Sequence, residues 1–180
     1  MSGLKFNISG VSASLISIFV CLQLYGQTRM ALSTNLVDAA DGGTLNMDAE
    51  LSLSRHWSVE AGVKYNPYSE SLRRREFSLG ARFWPWYVYS GWWLSSAARY
   101  HEYSRTQGDL TEGDRVGLSL SSGYSWMLSK HFNLDVGWGI WGGYDRYKVF
   151  GCPTCAPIKA QGEEYFLLPD SFMLSVSYIF

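Results

Sequence analysis

Residues 45–53 read LNMDAELSL, and in this stretch every second residue is apolar. Leu45, Met47, Ala49, Leu51 and Leu53 alternate with Asn46, Asp48, Glu50 and Ser52. Side chains of a β-strand point alternately to the two sides of the sheet, so a two-residue period separates the apolar set from the polar set. The stretch therefore predicts a strand with one apolar face and one polar face.

The same alternation recurs along most of the chain. It is clear in residues 57–65, 76–83, 116–126, 132–140 and 172–180, and two less regular strands are expected at 31–37 and 92–103. Together with residues 45–53 these make eight strands, an even number as in bacterial outer-membrane barrels. The pattern predicts an all-β fold, an eight-stranded antiparallel up-and-down transmembrane β-barrel.

The connections between these strands alternate in length. Short links are expected at 54–56, 85–91 and 129–131, and longer ones at 66–75, 105–114 and 151–166, after a short first loop at 38–43. Short turns of outer-membrane barrels face the periplasm and long loops face outward, so both termini are expected in the periplasm.

The aromatic residues suggest two girdles at the edges of a membrane, because amphipathic rings favour the headgroup zone. The tryptophans expected near the short turns are Trp57, Trp84, Trp86, Trp92, Trp93 and Trp126. The tyrosines expected toward the long loops are Tyr65, Tyr68, Tyr100, Tyr103, Tyr144, Tyr147 and Tyr165. The alternative is a soluble β-sandwich or lipocalin-like barrel, which the many Gly, Ser and charged residues on the polar faces disfavour.

The two ends of the chain indicate export. Lys5, a mostly apolar run over 11–24 and Tyr25-Gly26-Gln27 predict a signal peptide at 1–27, cleaved to leave the barrel at 28–180. A membrane-anchor helix is the weaker alternative, because the apolar run falls short of about 20 residues. The final Tyr178-Ile179-Phe180 resembles the signal that the barrel-insertion machinery reads. We therefore expect the outer membrane of a Gram-negative bacterium as the location.

Several short motifs in the expected barrel carry a family resemblance. They are Ala31-Leu32-Ser33-Thr34-Asn35-Leu36, Tyr65-Asn66-Pro67, Arg82-Phe83-Trp84, Tyr124-Ser125-Trp126 and Cys152-Pro153-Thr154-Cys155. With these motifs the chain resembles the domain-of-unknown-function family 3575 over nearly all of its expected mature length. The resemblance implies a small secreted outer-membrane barrel with no assigned activity, and it supplies no catalytic residues.

Cys152 and Cys155 lie in the longest expected loop and would remain after removal of the leader. An even pair in an exported chain predicts a disulfide, with a metal half-site or free redox-active thiols as alternatives. Neither further metal ligands nor a helix start are evident beside the pair, so we expect no metal site and no cofactor.

Charged residues on the polar faces are expected to form a lumen network, because the interior of an eight-stranded barrel is filled by side chains and buried charges need partners. The residues assigned to it are Glu50, Glu60, Glu76, Arg82, Arg99 and Asp135. Ser95 and His101 offer an alternative, a hydrolytic group, but their spacing selects no catalytic trio. We expect no enzymatic activity.

The expected loops contain residue types that are common in binding surfaces. Arg73, Arg74, Arg75, Tyr68, Tyr103 and Tyr147 are therefore possible contacts for a lipid or a protein partner. The formal net charge of −1 implies no nucleic-acid partner. The favoured function is a non-enzymatic outer-membrane barrel that is structural in the envelope or binds an unknown protein partner or outer-membrane lipids such as lipopolysaccharide. A lipid-modifying enzyme and a narrow small-solute channel are the alternatives.

Overall fold

The computed structural model describes residues 29–40, 43–66, 72–107, 109–151, 158–170 and 172–180. Within them the chain forms one antiparallel sheet of nine strands and a single helical turn, α1 (Leu36–Ala40). The strands are β1 (Met30–Asn35), β2 (Leu45–Ser52), β3 (Trp57–Asn66), β4 (Leu72–Phe83), β5 (Gly91–Gln107), β6 (Asp109–Met127), β7 (Phe132–Phe150), β8 (Ile158–Pro169) and β9 (Met173–Ile179). No helix among these residues is long and apolar enough to cross a membrane.

The sheet closes into a barrel with eight strand positions. Each of β1 to β7 pairs with its neighbours in sequence, and β9 pairs with both β7 and β1 to close the ring. The eighth position is shared by two strands, because β9 pairs with residues 132–137 of β7 and β8 pairs with residues 140–150. The predicted all-β, eight-stranded closed barrel is thus confirmed, but the expectation of a loop over 151–166 is wrong, since most of that segment belongs to β8.

The barrel has two different ends. We call the end with the connections at 53–56, 84–90 and 128–131 the turn end, and the opposite end the mouth. At the mouth the wall is uneven, because β1 has 6 residues whereas β6 and β7 have 19 each. The predicted bounds of β6 and β7, 116–126 and 132–140, are too short at this end. We call the part of β5 to β8 that rises above the other strands the tall wall.

The outward face of the barrel is an exposed apolar band. Its middle contains Leu79, Leu94, Leu118, Leu120 and Trp138, each more than half exposed. The row toward the mouth contains Tyr65, Phe77, Tyr100, Val116, Tyr144 and Tyr165, and the row toward the turn end contains Trp57, Trp92, Trp126, Phe132, Tyr178 and Phe180. Above the mouth-side row the outward side chains become charged, beginning with Arg75, Glu102 and Asp114.

Four residues assigned to the girdles lie inside the barrel, so those assignments are wrong. Trp84 and Trp93 are 1% exposed in the lumen. Tyr103 and Tyr147 face the inside of the tall wall, on the same side of the sheet as Gly113 and Gly162. Tyr68 lies outside the described residues. The side of the sheet on which a residue lies is set by its place in the alternation along the strand, and not by its distance from the turn.

The connection at 84–90 folds back against the turn end of the lumen. Its backbone is held by hydrogen bonds from Trp84 N to His56 O (2.9 Å) and from Val88 N to Arg55 O (3.0 Å). A bridge between Tyr87 and Ser90 narrows the turn, and Tyr89 has a φ of 67° in the left-handed region. This backbone turns the Tyr89 ring inward, where it packs edge-on against Trp84 with ring centroids 6.0 Å apart. This connection, which the sequence predicted to be a simple turn, therefore fills the turn end of the lumen, and we call residues 84–90 the plug.

At the mouth the chain leaves the first strand early. Asn35 Oδ1 accepts a hydrogen bond from Val37 N (3.1 Å), and Asn35 Nδ2 donates one to Asp38 Oδ2 (3.0 Å). These bonds are typical of an asparagine that starts a helix, and α1 begins at the next residue. The predicted strand 31–37 therefore ends two residues early, and Asp38 is buried at 2% exposure.

Candidate functional site

A first cluster of charges fills the lumen near the plug. Arg82 on β4 places Nη1 at 2.9 Å from Glu50 Oε2 and Nη2 at 2.7 Å from Glu60 Oε2, across β2 and β3. Ser58 Oγ donates to Glu50 Oε1, and Ser95 Oγ donates to Glu60 Oε1. Both carboxylates thus have a guanidinium and a hydroxyl as partners, as charges removed from water require.

Aromatic rings surround this charge cluster. The Arg82 guanidinium carbon lies 4.4 Å from the Trp93 ring centroid and 5.6 Å from that of Trp84. Trp84 Nε1 donates to Ser58 Oγ at 2.9 Å. Tyr89 Oη donates to backbone oxygens 3.0 and 3.2 Å away, and burial raises the pKa of its phenol. Rings and ion pairs together close the lumen at the turn end.

A second cluster of charges is centred on Glu76, nearer the mouth. Three basic groups face this carboxylate, with nitrogen–oxygen distances of 3.8 Å from Lys64, 3.2 Å from Arg74 and 3.7 Å from Arg99. The side chains of Glu76 and Arg99 are 4% and 10% exposed. The cluster joins β3, β4 and β5 through the lumen.

Two more carboxylates balance the three basic groups around Glu76. Asp38 of α1 lies 2.7 Å from Lys64 Nζ, and Asp170, between β8 and β9, lies 2.6 Å from Arg99 Nη2. Through these ion pairs, α1 and the segment between β8 and β9 are both attached to the barrel wall. Neither aspartate could be assigned from the alternation, because both lie outside regular strands.

A cavity of 390 Å³ lies above the second cluster, on the inner side of the tall wall. It is lined by His101, Tyr103, Arg105, Asp109, Thr111 and Arg115, with Val149 beside them. We call it the mouth cavity. Arg115 Nε donates to Asp145 Oδ2 at 2.7 Å, and its guanidinium carbon lies 4.4 Å from the Tyr103 ring centroid. Burial and Asp145 raise the pKa of Tyr103.

His101 forms the base of the mouth cavity. Its side chain is buried, and neither ring nitrogen has a hydrogen-bond partner among the described residues. The rings around it are those of Trp141 and Tyr103, each with its centroid 5.9 Å away. Arg105, at the open side, is exposed and forms no ion pair with any described residue.

The outward face of the tall wall carries a second concave region, of 520 Å³, across β6, β7 and β8. Its side chains alternate in sign along the strand pairs: Glu112 lies opposite Lys148, Asp114 opposite Arg146, and Arg146 opposite Glu163. Charges of both signs compensate one another there. This face is therefore polar, but it favours neither anionic nor cationic ligands.

Of the residues assigned to the lumen network, five lie in the two clusters. Glu50, Glu60 and Arg82 form the first cluster, and Glu76 and Arg99 belong to the second. Asp135 is buried but ion-pairs with no described basic residue, and its carboxylate accepts a hydrogen bond from Ser177 Oγ. The sequence did not point to the roles of Asp145 and Arg115, because at that height both faces of the strands are polar.

The basic run at 73–75 does not form one patch. Alternation on β4 turns Arg74 inward to Glu76, whereas Arg75 points outward, is 63% exposed and lies 3.9 Å from Glu102. Nothing is described of the Arg73 side chain. The predicted disulfide between Cys152 and Cys155 also lies outside the described residues.

Ser95 and His101 do not form a nucleophile–base pair. Both face the lumen from β5, but six residues of an extended strand separate them by roughly 20 Å. Ser95 is bonded to Glu60 in the first cluster, and His101 lies beside the mouth cavity. Within the described residues no group of three His, Cys, Asp or Glu side chains is placed to hold a metal ion.

Comparison with protein-family models gave one match over nearly the whole chain. A family described as "Protein of unknown function (DUF3575)" matches residues 12–180. No curated protein matched the sequence.

Proposed function

The chain belongs to the DUF3575 family, and we propose that it is a non-enzymatic outer-membrane barrel that binds a partner or ligand at its mouth. The observation that carries the proposal is the exposed apolar band between two aromatic rows. On β6 the band extends from Val116 to Trp126, which at roughly 3.4 Å per residue and a tilt of roughly 40° corresponds to a height of about 25 Å. That height suits the apolar zone of an outer membrane.

The inside of the barrel supports the same proposal. A soluble barrel buries its apolar residues in a core, but this lumen holds paired charges whereas the large leucines face outward. Within the apolar band most strands pair on both sides, as contact with lipid requires, whereas β8 pairs only with β7 among the described strands. Lipopolysaccharide and other outer-membrane lipids are then the molecules around the band.

The last strand supports recognition by the barrel-insertion machinery. β9 carries the outward residues Leu174, Val176 and Tyr178, and Phe180 N donates to Met30 O at 2.9 Å beside the closure with β1. The strand that closes the ring thus presents the terminal aromatic residues outward. Together with the signal peptide expected at 1–27, this strand supports the proposed export to a Gram-negative outer membrane.

The closed lumen favours binding over conduction. The Arg82 cluster, Trp84, Tyr89 and Trp93 fill the turn end, so we expect no steady ion current through the native barrel. The tall wall, in contrast, rises above the band with polar faces on both sides. Its inner face, together with the low wall opposite, forms an open-sided recess that suits a ligand or a protein segment.

An outward substitution at the centre of the band tests the proposal. Leu79→Arg lies midway along the apolar part of β4, where an arginine facing lipid costs roughly 2–4 kcal/mol. Leu128→Arg, in a turn-end connection, is the matched control, because the two leucines are 67% and 64% exposed. For each variant we would measure the fraction of protein in the outer membrane and the fraction that shows heat-dependent gel mobility.

We expect Leu79→Arg to lower both fractions strongly and Leu128→Arg to leave them near the level of the unmodified protein. For a water-soluble barrel, two equally exposed leucines would respond alike. Equal behaviour of the two variants, or recovery of the unmodified protein as a soluble periplasmic monomer, would overturn the proposal.

A further inference from the structure

His101 is a buried polar group without a hydrogen-bond partner among the described residues. Only 8% of its surface is exposed, and both ring nitrogens lack a hydrogen-bond partner among the described residues. An unsatisfied buried donor or acceptor costs roughly 1–3 kcal/mol, so such groups are uncommon in the absence of a role. The rings of Tyr103 and Trp141 pack against the imidazole at tilted angles of 49° and 47°, and neither accepts a hydrogen bond from it.

Arg105 is the complementary group at the open side of the same cavity. The other basic residues nearby already have carboxylate partners: Arg115 is paired with Asp145 at 2.7 Å and Lys159 with Asp109 at 2.6 Å. Arg105 is exposed and has no ion pair in the described part of the chain. Its five N–H donors are not taken up by any described carboxylate, and their planar arrangement fits carboxylates and phosphates.

The distance between these two residues sets the kind of ligand. They occupy positions on one face of β5 about 13 Å apart along the strand, with Tyr103 between them. The long arginine side chain shortens this distance, but a bare phosphate ion does not reach from Arg105 to the imidazole. A molecule of one ring, with an anionic group at one end and a polar group at the other, fits both the spacing and the 390 Å³ volume.

We propose that the mouth cavity binds a small organic oxyanion, a carboxylate or phosphate monoester, with its anionic group at Arg105 and its polar end at His101. The Thr111 hydroxyl, opposite Arg105 in the β5–β6 register, is a further donor to the oxyanion. The cavity opens on the inner side of the tall wall, away from the apolar band. The ligand is therefore a free solute and not the phosphate of a membrane lipid.

This inference deepens the proposed function, since it names the chemistry of the ligand at the mouth. It is tested by titrating the folded full-length barrel in detergent micelles with 4-hydroxybenzoate. The chain has three histidines, so labelling the histidine Cε1 carbons gives three resolvable resonances, of which His101→Gln removes one and thereby assigns it. 4-Hydroxybenzyl alcohol tests whether binding needs the negative charge, and inorganic phosphate tests whether it needs the aromatic ring. Purified lipopolysaccharide tests whether the anionic group can belong to a membrane lipid.

We expect 4-hydroxybenzoate to shift the His101 resonance saturably, with a Kd in the millimolar range or below, and to leave the His56 and His131 resonances in place. Arg105→Gln is expected to raise the Kd at least tenfold. Arg75→Gln is the matched control and is expected to leave the Kd unchanged, because this arginine is exposed on the outward face and does not line the cavity. The alcohol and phosphate are expected to bind at least tenfold more weakly.

Three results would overturn the inference: no saturable shift of His101, equal binding of the uncharged alcohol, or an equal loss of affinity in both arginine variants. A shift produced by lipopolysaccharide and not by free anions would overturn the assignment to a free solute. Because the titration uses a folded barrel in micelles, its failure leaves the membrane proposal intact, whereas that proposal fails separately in the fractionation of Leu79→Arg.

Discussion

Replacing Arg82 by methionine tests whether the lumen charges stabilise the barrel. The guanidinium lies 2.9 Å from Glu50 Oε2 and 2.7 Å from Glu60 Oε2, and the arginine side chain is only 10% exposed. Methionine keeps most of the side-chain length but leaves two carboxylates in the lumen without their cation. Removing one partner of a buried ion pair costs roughly 3–5 kcal/mol, and loss of the contact with Trp93 adds roughly 1 kcal/mol.

We therefore expect Arg82→Met to lower the free energy of unfolding by about 4–6 kcal/mol, measured by urea titration of the barrel in detergent micelles and followed by heat-dependent gel mobility. Arg75→Met is the matched control. Its guanidinium is 63% exposed and 3.9 Å from Glu102, and an exposed pair of this kind contributes less than about 1 kcal/mol.

A third variant separates loss of the cation from loss of packing. Arg82→Met combined with Glu50→Gln and Glu60→Gln removes the stranded charges while keeping the side-chain volumes, so it is expected to recover part of the lost stability. If Arg82→Met and Arg75→Met unfold at the same urea concentration, the lumen cluster does not hold the barrel together and the reasoning is refuted. A triple variant less stable than Arg82→Met alone would show that charge is not the cause.

Three further predictions follow from single sites. Gly91→Ala is expected to lower the free energy of unfolding by about 1–2 kcal/mol, because φ is 79° and a Cβ would lie 2.2 Å from a ring carbon of Trp86. Gly151→Ala is the control in the same urea titration, because a Cβ there would have its nearest neighbouring atom 3.9 Å away. Cys152 and Cys155 are expected to resist alkylation until reduced, and joint replacement by serine is expected to change stability little, since a short loop contributes little closure entropy; alkylation of the untreated exported protein would contradict this. Deleting Phe180 is expected to lower the amount of assembled barrel in cells but not the yield of refolding in detergent, and equal cellular amounts would contradict a role in insertion.

The bounds of the strands could be predicted from the sequence only where one face of the strand is apolar. In β6 the alternation between Val116 and Trp126 is plain, and the structure has a strand there. Nearer the mouth Glu112 and Asp114 face outward while Thr111 and Arg115 face inward, so both sides of the strand are polar and the two-residue period disappears. The prediction therefore ended β6 at the edge of the apolar band and β7 earlier still, at Ile140, although their hydrogen-bonded pairing continues.

Side-chain direction in the wall was predictable, but direction in the connections was not. The two-residue period places Glu50, Glu60 and Arg82 inside, where the structure brings them into contact. Trp84 and Tyr89 belong to a connection whose path depends on a left-handed residue and on backbone bonds to another turn, and no period describes such a path. The same limit applies to Asp38 and Asp170, which join the second cluster from outside the strands.

The closure of only one end has a functional consequence that does not depend on the identity of the ligand. The plug and the Arg82 cluster fill the lumen at the turn end, whereas at the mouth the described parts of β1 and β2 end below the tall wall. A solute bound near His101 therefore enters and leaves from the same side, and binding does not require transport. If the mouth faces the cell exterior, as the loop lengths predict, a partner outside the cell would sense the bound solute by contacting the tall wall. Among the described strands β8 pairs with β7 alone, so it is the part of the tall wall that has a free edge.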